Sequence, residues 1–217
     1  MAPAFGADRA FPAVNLASGL PDTMEGARVR VRGWVTADAS RLYGVLAENQ
    51  AHLAGWIPTA IAQLEPVEAL ERRLTGFHED AAAGIRDRRA IIERETHALL
   101  GGLDLFGRTA TGRVPFAEAD RVEIGYWLRR DATGRGLVSE AVQLLLQQLV
   151  PRHTWSHAVI RCDSRNMASQ RVAERLGFRL VSREPQSAAE PTGATHDLET
   201  WVHPLPFHGA VPPRPYP

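Results

Sequence analysis

Two short stretches of this chain hold residue types whose spacing could do chemistry. The first is RDATGRGLVSEA, Arg130–Ala141. Gly134 and Gly136 let backbone approach a ligand closely and take positive φ. Behind them Val142, Leu145, Leu146 and Leu149 recur at helical period. A helix N-terminus offers unpaired N–H groups and a positive dipole end, which together bind phosphate. Arg130 and Arg135 add charge-assisted donors. No Gly-Lys-Ser/Thr follows, so this is not a Walker A loop. Ser139 stands where a dinucleotide fingerprint needs its third glycine. Read alone, the stretch is either a phosphate seat or a structural strand-to-helix turn.

The second stretch is RCDSRNMASQRVAERLGF, Arg161–Phe178. Asn166 and Ser169 are three apart, so on a helix both project from one face near its N-terminus. Each also has a plain role, Asn166 as an N-cap and Ser169 as a solvated hydroxyl. Gly177 falls at C′, where left-handed geometry suits it. Outside the two stretches, Trp56 and Tyr126 could shape a pocket or pack in a core. Trp127 reads as core if its strand alternates. Cys162 reads as a small buried hydrophobe. His97 reads as a turn residue, and the Arg-rich RDRRA, Arg86–Ala90, first as a solvated loop and second as a contact for an acidic acceptor or ribosomal RNA.

Regular elements must hold these residues. RVRVR, Arg28–Arg32, alternates as a half-buried strand does. Thr36–Asn49 reads as a helix capped by Thr36 or Asp38, with Leu42 and Leu46 on one face. Pro66–Ala82 reads as a second helix. Arg89–Glu93 and Leu99–Phe106 read as strands with His97 near their turn. VEIGYWL, Val122–Leu128, is a strand of aromatic and β-branched residues. A helix over Ser139–Leu149, a strand over Ala158–Cys162, a helix from Asn166 to Leu176, and strands over Phe178–Val181 and Glu199–His203 complete the chain. The order is α/β without the strict alternation of a doubly wound sheet.

The composition of the 217 residues bounds the function. Hydrophobic residues make up 44% and charged residues 23%, which excludes disorder throughout. All 25 basic residues are arginine, and 25 acidic residues balance them. A broad electrostatic nucleic-acid binder is not expected from that balance. One cysteine leaves no internal disulfide framework and no Cys-built zinc site, and no metal is expected. No apolar run approaches the roughly 20 residues of a membrane span, and Met1–Phe11 lacks a secretory apolar core. A cytoplasmic protein is expected. Residues 1–20 read as a flexible leader, residues 21–206 as one domain, and the Pro-rich 207–217 as a tail.

In their order and spacing, VEIGYWL, TGRGLVSEA and IRCDSRNMASQRVAERLGF resemble the GNAT superfamily of acyl-CoA-dependent N-acyltransferases. They are similar to its RimJ/RimL-like branch of ribosomal-protein N-terminal acetyltransferases, as are HLAGWIP and LLGGLDL upstream. The resemblance covers roughly residues 26–205 and is densest from Val122 to Phe178. It implies a GNAT fold, a central mixed, mostly antiparallel sheet flanked by helices on both faces.

The resemblance also implies roles. Acetyl-CoA is the co-substrate, its pyrophosphate held by backbone N–H groups of Thr133, Gly134, Arg135, Gly136, Leu137, Val138 and Ser139, with Arg130 beside them. Thr133 departs from the usual Gln or Arg, and Val138 from the usual small residue. Asn166 matches the pantetheine-binding asparagine, and Ser169 the serine that protonates the departing thiolate. A backbone N–H near Leu128 or Arg129 would meet the oxyanion. Glu123 is the first choice for the base that frees the amine and Asp104 the second. The acceptor is a primary amine, first a protein or peptide α-amine. The alternatives are a small-molecule amine such as an antibiotic or aminoacyl-nucleotide, or a non-catalytic acyl-CoA-binding module. A homodimer is compatible with the resemblance.

Overall fold

The computed structural model describes residues 19–57, 63–149, 155–185 and 196–205. The leader up to Ser18 and the Pro-rich tail lie outside them. The strands are β1 (Thr23–Glu25), β2 (Val29–Gly33), β3 (Arg86–Glu93), β4 (Leu99–Thr109), β5 (Gly112–Val114), β6 (Arg121–Leu128), β7 (His157–Asp163), β8 (Arg179–Pro185) and β9 (Asp197–Pro204). The helices are α1 (Ala39–Leu53), α2 (Val67–Ala82), α3 (Leu137–Leu149) and α4 (Met167–Arg175). One sheet runs β1-β2-β3-β4-β6-β7-β9-β8, with β5 folded back on the end of β4. Every pair is antiparallel except β6 with β7. No helix among the described residues is long and apolar enough to cross a membrane.

Strand alternation builds a core on each face of the sheet. Ile91 belongs to one core, while its neighbours Ala90 and Ile92 belong to the other. On one face Leu42, Leu46 and Leu53 of α1 and Leu70 and Leu74 of α2 cover Ala90, Ile92 and Trp127. On the other, Leu137, Val142, Leu145 and Leu149 of α3 cover Leu103, Leu105, Ile124 and Ile160. Leu20 enters this second core, so the chain is already packed where its described part begins. Helices therefore flank both faces, as the resemblance implies.

RDRRA corrects the sequence reading. It is the first half of β3, an interior strand, and no solvated loop. Arg89 is fully buried, its guanidinium paired with Asp87 at 2.9 and 3.1 Å and donating to the Pro21 carbonyl at 2.6 Å. Charge density suggested solvent, but alternation decides: a buried charge survives when paired and hydrogen-bonded, as these two are. The short strands β1 and β5 carry too little pattern to be read in advance.

Candidate active site

The sheet opens in its middle. β6 and β7 pair only from Arg121 opposite His157 to Glu123 opposite Val159. Past that point β6 stays bonded to β4 as far as Leu128 opposite Gly101, and β7 to β9 as far as Asp163 opposite Leu198. Two strand edges thus face each other unpaired, an arrangement proteins normally avoid and a template for an extended ligand. The Arg129 N–H is spent on the Leu100 carbonyl at 2.8 Å. Alternation along an antiparallel ladder then turns the N–H of Leu128 and of Tyr126 toward the gap. Of the two expected oxyanion donors, Leu128 is the free one.

Gly101 holds β6 in this position. A Cβ there would lie 2.0 Å from the Trp127 carbonyl oxygen, and backbone cannot swing aside as a side chain does. Gly101→Ala should cost about 3 kcal/mol through overpacking, read as a lower denaturation midpoint. An unchanged midpoint would mean that β4 and β6 separate freely.

The glycine loop closes the wide end of the gap. Gly134 and Gly136 have φ of 72° and 75°, where only glycine sits without strain. Helix α3 makes its first bond from the Glu140 N–H to the Gly136 carbonyl at 3.2 Å. The N–H groups of Leu137, Val138 and Ser139 therefore have no acceptor within the helix. The Ser139 hydroxyl is buried and has no hydrogen-bond partner among the described residues. Thr133 differs from the expectation of a donor, since its N–H and its hydroxyl both turn inward onto the Arg130 carbonyl, at 3.2 and 2.7 Å.

Two arginines that sequence reasoning missed converge on this loop. A Cβ on Gly136 would meet the Arg175 guanidinium at 3.3 Å and that of Arg28 at 3.6 Å. Arg28 donates to the Arg135 carbonyl at 2.8 Å and pairs with Glu140 at 2.9 Å. The Glu140 carboxylate also accepts the N–H groups of Arg28 and Val29 at 2.7 and 3.2 Å, which ties α3 to β2. Arg135 is paired with Glu93 at 2.7 Å. Arg130 is anchored through its N–H by the side chain of Asn49 on α1, at 2.8 Å. Glu48, Asn49, Arg129, Arg130 and Asp131 line a cleft of about 490 Å³ beside this turn. Loop, helix end and nearby cations make a cradle that fits a pyrophosphate.

On the α3 side of the gap two hydroxyls meet. Tyr126 of β6 and Ser169 of α4 are 2.8 Å apart. Burial pushes the Tyr126 phenol well above its usual range and the Cys162 thiol up to about 11. Neither titrates near neutrality, so both serve as neutral hydrogen-bonding groups. Asn166 caps α4, its Oδ1 accepting the Ser169 N–H at 3.0 Å. That bond leaves its amide nitrogen as a donor. The cap thus fixes Ser169 in place.

On the α1/α2 side the two carboxylates differ. Each oxygen of Glu123 is held by a guanidinium, Arg108 at 2.7 Å and Arg113 at 2.5 Å. Asp104 is buried, and no hydrogen-bond donor reaches it among the described residues. Burial, only partly offset by Arg88, Arg113 and Arg86, lifts its carboxyl to about 6. Gly125 lies directly opposite it on β6 and is only half-buried, so the floor beside Asp104 is open. His97 sits in the β3–β4 turn with φ 58°, and Trp127 packs in the α1/α2 core. Trp56 is exposed just past α1, with a relative accessibility of 46%.

The chain matches the acetyltransferase (GNAT) domain over residues 28–179. It is 25% identical over 170 residues to the putative ribosomal N-acetyltransferase YdaF of Bacillus subtilis, covering 74% of this chain and 82% of that protein. Over 58 residues it is 40% identical to the ribosomal-protein-serine acetyltransferase of Escherichia coli, covering 27% of this chain and 32% of that one. The structure of RimL, a ribosomal L7/L12 alpha-N-protein acetyltransferase in complex with coenzyme A, superposes with a TM-score of 0.72 at 21% identity. That superposition covers 84% of this chain and 98% of RimL. The microcin C7 self-immunity acetyltransferase MccE, solved with acetyl-CoA and AMP, gives 0.71 at 18% identity, over 83% and 94%. With its split sheet, its glycine loop and a family match spanning most of its length, the chain belongs to the GNAT family and is an acetyl-CoA-dependent N-acetyltransferase.

Proposed function

We propose that the chain acetylates a protein or peptide N-terminal α-amine, with the reacting groups divided between the two faces of the gap. The observation that carries this reading is the division itself. Asp104, a buried carboxylate with no donor among the described residues, lies on one face, and the Ser169–Tyr126 hydroxyl pair lies on the other. Acetyl-CoA is the substrate that supplies the thioester. Its pyrophosphate suits the N–H groups from Gly134 to Ser139 with Arg28 and Arg175, and its pantetheine arm suits the β6 and β7 edges and the Asn166 amide.

The chemistry follows from the placement. The neutral amine attacks the thioester carbonyl from the α1/α2 face. Its nitrogen forms the new bond, and its proton passes to Asp104. The Leu128 N–H meets the oxyanion. As the carbon–sulfur bond breaks, Ser169, its oxygen held by Tyr126, passes its proton to the leaving thiolate and recovers one from solvent, while Asp104 releases the amine's proton to solvent. Glu123 is better suited to holding Arg108 and Arg113 than to taking a proton, since both its oxygens are already bonded.

An α-amine suits this base. A carboxyl near 6 is mostly ionised at pH 7, and an α-amine, with pKa about 8, is partly neutral there. A lysine, at about 10.4, would ask much more of it. The names of YdaF and of the Escherichia coli relative, which refer to ribosomal-protein acetylation, support the same acceptor class. Such a reaction belongs in the cytoplasm, where acetyl-CoA and new N-termini meet. The test is incubation with acetyl-CoA and a serine-headed peptide carrying one internal lysine, read by fragmentation mass spectrometry. Acetyl on the α-amine is expected. Acetyl on lysine alone, or turnover only with small amines, would replace the acceptor.

Ser169→Ala should lower kcat about ten- to a hundredfold and leave acetyl-CoA affinity within about twofold, by calorimetry. The loss sits at the low end for a general acid because a thiolate, pKa about 8.5, leaves readily. Tyr126→Phe should cost less, since Ser169 keeps its own proton. An unchanged kcat for Ser169→Ala would remove the hydroxyl from the mechanism.

A further inference from the structure

A row of side chains crosses the middle of the sheet on the α1/α2 face. Arg88 on β3 is opposite Asp104 on β4, and Asp104 is opposite Gly125 on β6. Two residues past the last β6–β7 pair, Glu123 with Val159, β6 reaches Gly125 and β7 reaches Arg161, on opposite edges of the gap. On β7, Ala158, Ile160 and Cys162 belong to the α3-side core, so Arg161 faces the same way as Asp104. Gly125 is the floor between them; a Cβ there would only touch Asp104 and Phe106, both at 3.7 Å.

The arginines of this face fall into two groups. Arg108 and Arg113 are consumed by Glu123, and Arg86 by Asp80. Arg88 and Arg161 are half-buried and make no hydrogen bond and no ion pair within 4 Å among the described residues, although the charge of Asp104 acts on Arg88 and those of Glu123 and Glu184 on Arg161. The Arg88 Nε is buried with nothing bonded to it, while its guanidinium carbon lies 4.3 Å from the centre of the Phe77 ring. Burial lowers the pKa of both guanidiniums. Partly desolvated guanidiniums that make no hydrogen bond to an acceptor gain when an anion arrives to accept one. These two stand on either side of the floor where the acceptor amine must sit.

Resting on the acceptor reading above, we infer that Arg88 and Arg161 bind an anionic group next to the reacting amine, the carboxylate of an Asp or Glu at the acceptor peptide's second position. The same chemistry is offered by a carboxylate or phosphate on a small amine, so the experiment has an arm for each. Acetylation of a Ser-Asp peptide is compared with its isosteric Ser-Asn partner, and aspartate α-amide with asparagine amide. The full chain should favour the Asp peptide about ten- to a hundredfold in kcat/KM, as bonds to a charged acceptor do. That preference should shrink with added salt. In Arg161→Gln it should fall to within about threefold, and in Arg161→Lys part of it should return. Unchanged acetyl-CoA affinity would show that each variant is folded.

Equal rates on the Asp and Asn peptides would overturn the inference and leave α-amine acetylation standing. A preference confined to the two small amides would overturn the peptide source. No turnover with any amine would remove the acceptor reading itself, and this inference with it.

Discussion

Asp104→Asn should lower kcat/KM for an N-terminal peptide by about 10²–10³, the span of a positioned general base. The pH profile separates a base from a prop. Burial lifts this carboxyl to about 6, with Arg88 and Arg86 from β3 and Arg113 from β5 pulling it down and Asp87 pushing it up. In the unaltered protein kcat/KM should climb steeply below about pH 6, where both the carboxyl and the acceptor must lose a proton. Between there and about pH 8 it should climb more gently, on the amine alone. The variant should show only the gentle slope throughout.

Stability should move the other way. The folded state raises the Asp104 pKa above its unfolded value, so it holds that proton more tightly than the unfolded chain does. The associated stability is fully present below about pH 4 and is lost as pH rises toward about 6. Removing the charge should therefore raise stability at pH 7 by about 3 kcal/mol, from roughly two pKa units at 1.36 kcal/mol each. Denaturation of both proteins at pH 4 and pH 7 checks the sign. A purely structural Asp104 would lose activity and stability together.

Gly136→Arg should weaken acetyl-CoA binding at least about a hundredfold by calorimetry. The residue has φ 75°, so any side chain strains the loop, and a new one would point at Arg175 and Arg28. Two displaced N–H to phosphate bonds, each worth about 1.5–3 kcal/mol, suffice for that loss. The strain itself is about 1–2 kcal/mol, small enough for the protein to stay folded. Arg175→Gln should weaken binding about tenfold and flatten its salt dependence, since it removes charge and leaves the loop intact. Unaltered binding by Gly136→Arg would move the pyrophosphate elsewhere.

Much of this site is legible in one dimension because its parts are local. Gly134 and Gly136 announce their positive φ, the period of Val142 to Leu149 announces the helix behind them, and Asn166 with Gly177 brackets α4. What the sequence hides is convergence. Arg28 and Arg175 are more than a hundred residues apart, yet both reach Gly136. Tyr126 and Ser169 meet only because β6 and α4 border the same gap. Glu123 looked available because its partners, Arg108 and Arg113, arrive through the β4–β5 hairpin, of which β5 is too short to read. RDRRA misled for a related reason: charge counts suggest solvent, and only the sheet order makes that segment an interior strand. The gap itself is a failure of pairing, and no residue pattern on β6 or β7 spells it out.

A crystal structure with CoA and an N-acetylated peptide tests most directly whether amine and thiol meet from opposite faces of that gap. Pyrophosphate is expected on the N–H groups between Gly134 and Ser139. The sulfur should lie within hydrogen-bond reach of Ser169, and the new amide over Gly125 beside Asp104. Sulfur and amide nitrogen lying together on one face, with Asp104 or Ser169 out of reach of both, would contradict that arrangement.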